Sequence, residues 1–165
     1  KSALYKHYKN KRAIFDSIVE RMQQMDQARA QAYEMPEGTY GEMADAYRRT
    51  SIASVLAYSQ AQFCYWTEEE FPSCFRKMLT LEQYRDAEMA RLYQQYLASG
   101  PVGYMEDLFR GMMGQPVRAR ELALSFYAPI FLLYNLYDAA RDKSGIHAML
   151  RAHLERFARQ WEAQK

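Results

Sequence analysis

Two cysteines, three histidines, five prolines and seven glycines are all that 165 residues supply of those types. Cys64 and Cys74 are too few for a disulfide framework and match no metal or redox spacing, so a reducing, cytoplasmic setting is expected. No Gly-rich phosphate loop is present. His147 and His153 are six apart, on poorly matched helix faces for shared ligation, and neither cysteine has a histidine nearby in sequence. "TEEE" at 67–70 reads as a solvated helix start rather than an acid/base pair. Neither an enzyme nor a metal or cofactor site is expected. The longest apolar stretch, "LALSFYAPIFLLYNLY" from Leu122, is interrupted by Ser125, Pro129 and Asn135, so it reads as a buried helix and no membrane partner is expected. No signal peptide is visible.

What is abundant points the other way. Ala, Leu, Met, Glu, Gln and Arg favour helices, and 14 tyrosines with 10 methionines suggest an interior of large, adaptable, partly polar-tipped side chains. Net charge is +2, but Lys1, Lys6, Lys9, Lys11 and Arg12 crowd into the first twelve residues without an acid. The remaining 153 residues hold 17 basic against 20 acidic groups. A basic end on a mildly acidic body suits a polyanion-facing segment.

Helical periodicity runs throughout, and no strand or repeat is found. Asn10 is placed to cap a helix with Ile14, Phe15, Ile18, Val19, Met22 and Met25 on one side, running to "MPEG" at 35–38. Its length, roughly 36 Å, is that of a connector. Thr39 and Glu42 have capping-box spacing and open a helix expected to reach about Gln60. Thr67 with Glu70 repeats the signal before a helix over 72–84. Asp86 caps a helix to Leu97, Pro101 opens another that "GQP" at 114–116 stops, and two apolar helices follow over 117–142 and 145–163, the second capped by Ser144. The fold class is all-α, with about six helices after residue 36.

The first helix begins with Lys11 and Arg12, the wrong sign for its own macrodipole. A phosphate held by the free N–H groups and Lys11 would compensate. The preceding "SALYKHY" reads as a short helix. Together, "SALYKHYKNKRAIFDSIVERM" resembles the closing part of the TetR-family helix-turn-helix domain, matching at Leu4, Tyr5, His7, Tyr8, Lys11, Ile14 and Phe15. Tyr8 stands where Phe is usual and Ser2 near a usual Gly.

The resemblance implies a homodimeric, ligand-responsive transcriptional repressor that binds a double-stranded operator. Carried over residue by residue, Tyr5 and Lys11 would contact phosphates, and His7 would lie near phosphate or base edges. Lys1, Ser2, Ala3 and Lys6 would face the major groove. Residues 1–35 would then close the DNA-binding domain, and 36–165 would form an effector-binding and dimerisation domain. The linking helix, Lys11 to about Glu34, would couple the two by its tilt.

The last two helices carry more apolar surface than one bundle buries. Leu133, Leu136, Tyr137, Leu150, Leu154, Phe157 and Trp161 are expected in a four-helix dimer seam. The middle helices hold aromatics and methionines suited to a chamber for a small apolar or aromatic effector. Its expected lining is Tyr58, Phe63, Tyr65, Met78, Tyr84, Met89, Tyr93, Tyr104, Met105 and Phe109, with Ser125 and Asn135 as polar contacts. A helical module that sequesters a hydrophobic molecule without binding DNA is the alternative.

Overall fold

The structure is a computed structural model that describes residues 8–163, with the side chain of Pro116 excepted. It is all-α, with eight helices and no strand among the described residues. None of these helices is long and apolar enough to cross a membrane.

Helix α1 (Lys11–Ala32) starts where Asn10 predicts, the Asn10 side chain accepting the Ala13 N–H at 2.8 Å. It ends in a Schellman motif: Met35 N–H donates to Ala30 O and Glu34 N–H to Gln31 O, with Glu34 in the left-handed region at φ 54°. Helix α2 (Tyr40–Arg49) opens at Thr39, whose N–H and hydroxyl both donate to the Glu42 carboxylate.

The helix expected over 39–60 is broken in two. Thr50 and Ser51 are extended, and Ser51 Oγ accepts the Ser54 N–H at 3.0 Å to start α3 (Ile52–Glu68). Seven helices therefore follow α1 rather than six. Helix α4 (Glu70–Glu82) begins two residues before the expected start, because Glu69 is the extended residue that ends α3. Thr67 does not cap it; its hydroxyl donates back to Phe63 O at 2.6 Å.

Asp86 caps α5 (Ala87–Leu97) with bonds to two backbone N–H groups. Helix α6 (Ser99–Met113) follows after one non-helical residue, Ala98, so Pro101 lies inside its first turn rather than opening it. Helix α7 (Pro116–Ala139) runs through Pro129. Asp142, rather than Ser144, caps α8 (Lys143–Glu162).

Helix α6 is the hub, packing on α2, α5 and α7, while α7 also meets α3 and α8. Gly111 permits the close α6–α2 approach, since a Cβ there would sit 2.8 Å from Tyr47 Cβ. The densest part of the core is aromatic: Phe126 faces Phe109 and Phe157 at centroid separations of 5.7 and 4.6 Å, and Trp161 lies 5.5 Å from Phe109. Each such pair contributes about 0.5–1.5 kcal/mol beyond its buried area.

Helix α1 is built into this body rather than standing off it. Met22 is fully buried, Arg21 covers the Phe71 ring, and Arg29 lies 3.8 Å over Tyr65 while reaching Glu69. Arg12 makes a two-pronged bond to Glu88 on α5. Arg76, itself 3% exposed, ties three helices: it donates to Trp66 O on α3 and grips both Asp138 oxygens on α7.

Candidate functional site

Helices α1, α3, α5, α6 and α7, with the 36–38 loop, enclose a cavity of about 500 Å³. That volume suits a drug-sized ligand. Its wall is aromatic and hydroxylated, with Tyr58 and Trp66 from α3, Tyr96 from α5, Tyr104 from α6, and Tyr127 and Tyr134 from α7. Ala30, Met105 and Ile130 add apolar surface, and Asp26, Gln27, Glu37, Gln62 and Gln95 bring the polar character. At the α5–α6 break Gly100 lines the cavity. A side chain there would collide with Gln95 O, the added Cβ lying only 1.9 Å away.

Two of these tyrosines have their hydroxyls satisfied by the frame. Tyr104 donates to Pro36 O at 2.9 Å and Tyr127 to Leu97 O at 2.8 Å, which fixes both rings. The Tyr58 hydroxyl accepts from Gln62 Nε2 at 2.8 Å. Burial raises the pKa of Tyr58 and Tyr96 to about 12 and pushes Tyr104, Tyr127 and Tyr134 above the ordinary range, so all five stay protonated.

Other wall atoms are left over. Asp26 Oδ1, Gln62 Oε1 and Tyr96 Oη are buried without a hydrogen-bond partner, although Gln23 lies close enough to Tyr96 to offset part of the rise in its pKa. Burial raises the Asp26 carboxyl to about 7, against only partial relief from Arg29 one turn on. Unpaired buried polar atoms are uncommon, and three in one cavity wall mark it as a place that something polar completes.

Of the expected lining, Tyr58, Tyr104 and Met105 are in the wall. Phe63 stands behind it, stacked on Tyr134 at 5.3 Å. Tyr65 is buried beneath Arg29 with its hydroxyl toward Met22 Sδ. Met78, Met89 and Tyr93 pack against the core, while Phe109 belongs to the Phe126–Phe157–Trp161 cluster. Tyr84 is 88% exposed, in the turn between α4 and α5. Ser125 and Asn135 lie on the exposed side of α7, donating to Leu122 O and Phe131 O, because Phe126, Tyr127, Ile130 and Tyr134 take its inner side.

Sequence reasoning missed Asp26 and Gln62. A signal existed for both: Asp26 falls on the line Met22–Asp26–Ala30, and Gln62 lies between Ser59 and Trp66 at helical spacing. A polar residue on a buried stripe was the mark to look for.

Most of the residues expected in a dimer seam lie inside the chain's own core. Leu133, Leu150, Leu154, Phe157 and Trp161 are each 5% exposed or less, so the chain's own core already uses them. Tyr137 is held edge-on against Phe63 and His147. Only Leu136 of that set is exposed; Leu124 and Leu132 on α7 and Met149 on α8 join it.

Lys1, Ser2, Ala3, Tyr5, Lys6 and His7 lie outside the described residues. Lys11 is exposed at the start of α1. Arg12 is not left for an external anion, since Asp16 and Glu88 take its guanidinium. Cys64, Glu68 and His147 come within 4.8 Å of one another, a trio that no sequence spacing shows. It could hold a metal ion, but Glu68 Oε1 and His147 Nε2 already meet at 2.8 Å, and Phe63 and Tyr137 edge against the His147 ring. His153 is a core residue: its Nε2 meets Phe126 O at 2.8 Å, and burial lowers its pKa. No protein-family model matches the chain, and neither a curated relative nor a solved structure matches it.

Proposed function

We propose that this chain is the effector-binding and dimerisation part of a cytoplasmic, DNA-binding transcriptional regulator of the TetR kind that its first residues resemble, a repressor released from its operator by a small ligand. The observation that carries the reading is the position of α1. One end follows the basic segment, and its second half supplies Asp26, Gln27 and Ala30 to the cavity wall. A ligand that fills the cavity touches the element that would set the spacing of two DNA-reading heads. Such a ligand acts by its differential contact with two tilts of that helix. Lys11 is the cation of the first turn that would meet a phosphate, Arg12 being engaged with Glu88.

Dimerisation would use the exposed faces of the last two helices. Leu124, Leu132 and Leu136 recur along α7 with Ala128 between them, and Met149 on α8 sits beside Ala148 and Ala152. A two-fold axis through these faces would bury them in a four-helix seam.

The test is selection of operator DNA by the full-length protein, followed by anisotropy titrations against salt. Lys11→Ala and Tyr5→Ala should each weaken binding and reduce the salt slope by about one. Unchanged binding in both removes the phosphate roles. Failure to select any DNA leaves a helical ligand-binding module. Leu132→Arg should convert a dimeric mass in solution to a monomeric one.

A further inference from the structure

We infer that the cavity takes a protonated amine carried on an aromatic or apolar body, with the ammonium group at Asp26 and Gln62 and the body against the tyrosine faces. This names the ligand class of the proposed effector site and rests on reading the cavity as that site, though not on DNA binding.

Charge is the first argument. The residues lining the cavity include two acids, Asp26 and Glu37, and no Lys, Arg or His. The nearby cations bond outside the wall, Arg29 to Glu69 across the Tyr65 ring and Arg76 to Asp138, and Arg29 relieves Asp26 only in part from one turn on. An anionic ligand would find no cation in the wall to pair with. A neutral apolar ligand would leave Asp26 either an unpaired carboxylate or a protonated acid without an acceptor, and both are unfavourable.

Hydrogen-bond valence is the second. Asp26 and Gln62 both line the cavity, and no donor of the chain meets Asp26 Oδ1 or Gln62 Oε1, so a ligand with N–H groups to give would complement them. Gln62 cannot serve Asp26 with its own amide, because Nε2 is spent on Tyr58. Tyr96 Oη is a third open position, able to accept as well as donate.

The third argument is the rest of the wall. Aromatic faces attract a cation through their quadrupoles, and this attraction strengthens where water is excluded. Trp66 and the tyrosines line a volume of about 500 Å³, large enough for the amine and a ring. The Asp26 carboxyl, raised by its burial and only partly relieved by Arg29, is a group that an ammonium partner would stabilise in its charged form. Placing the ammonium there also puts the ligand's strongest contact on α1.

The experiment is isothermal titration at pH 8 with three matched probes, 4-phenylbutylamine, 4-phenylbutanol and 4-phenylbutyrate. The amine should bind about tenfold or more tighter than the alcohol, and the carboxylate should bind weakest. Asp26→Asn should erase the preference for amine over alcohol while leaving alcohol binding intact. Gln62→Leu should weaken amine binding several-fold, a second route should Asp26→Asn fold poorly. Equal binding of amine and alcohol, or an amine preference that survives Asp26→Asn, overturns the inference and leaves the cavity as a site for another ligand. No binding by any probe overturns both. If the amine binds as stated but does not alter operator affinity of the full-length protein, the amine site stands and the regulator reading falls.

Discussion

Two aromatic regions of this molecule lie side by side on α6 and α7 and behave in opposite ways. In one, Phe109 and Phe126 meet Phe157 and Trp161 from α8 at ring separations of 4.6–5.5 Å, and the space closes. In the other, Tyr104, Tyr127 and Tyr134 face Tyr58, Tyr96 and Trp66 around a cavity of about 500 Å³. The phenolic oxygen makes the difference. A Phe ring can turn to fill any gap, whereas Tyr104 and Tyr127 are moored by backbone carbonyls and keep their rings on the wall. The Phe rings carry no such tie and pack directly against one another and Trp161.

The largest effect should come from the closed side. Phe126→Ala leaves a void among fully buried neighbours and should lower stability by about 3–5 kcal/mol in urea titrations. Tyr96→Phe on the open side, which removes only an unpartnered hydroxyl, should change it by less than about 1 kcal/mol. Similar losses in both would dissolve the distinction.

Asp26 sharpens it through pH. The folded chain holds that proton to about pH 7, whereas the unfolded chain releases it near 3.8. Across this window the folded state binds more protons, so stability falls as pH rises. Asp26→Asn should remove that slope and raise stability at pH 8 by on the order of 3 kcal/mol, with little change at pH 4. Thermal unfolding over that pH range measures it.

Arg76 tests the border between the regions, lying over the Tyr134 ring while bonded to Trp66 O and Asp138. Burial alone would raise Asp138, but Arg76 and Lys77 hold its carboxyl below the ordinary range. Arg76→Ala should therefore destabilise by about 2–3 kcal/mol, the partial exposure of Asp138 limiting the loss. The smallest effect is a gain. Glu34→Gly relieves a left-handed backbone beneath the 36–38 wall and should stabilise by about 0.5–1 kcal/mol, seen as a modest rise in Tm with ligand binding unchanged.

Much of the helical layout was legible because capping is local chemistry. Asn10, Thr39 with Glu42, and Asp86 act where their spacing places them. The misses are also local: the Ser51 start was hidden behind a continuous apolar period, and Asp142 outcompeted Ser144 as a cap one turn away from where the pattern changes. The site was far less legible. Of twelve expected lining residues three reach the wall, and two of its most telling members, Asp26 and Gln62, are polar residues on buried stripes. Most of the residues expected in a dimer seam are buried within the chain for a related reason. The α8 stripe at Leu150, Leu154, Phe157 and Trp161 has the periodicity of an interface, yet it is spent on α6 and α7.

By itself the sequence determined that this chain is helical, roughly where its helices begin, and which face of α8 avoids water. Those follow from capping, backbone propensity and a period of 3.6, all settled within a few turns. Only the tertiary structure decided which buried faces meet other side chains and which meet open space. Period reports that a residue points inward; whether the volume ahead of it is filled depends on residues tens of positions away.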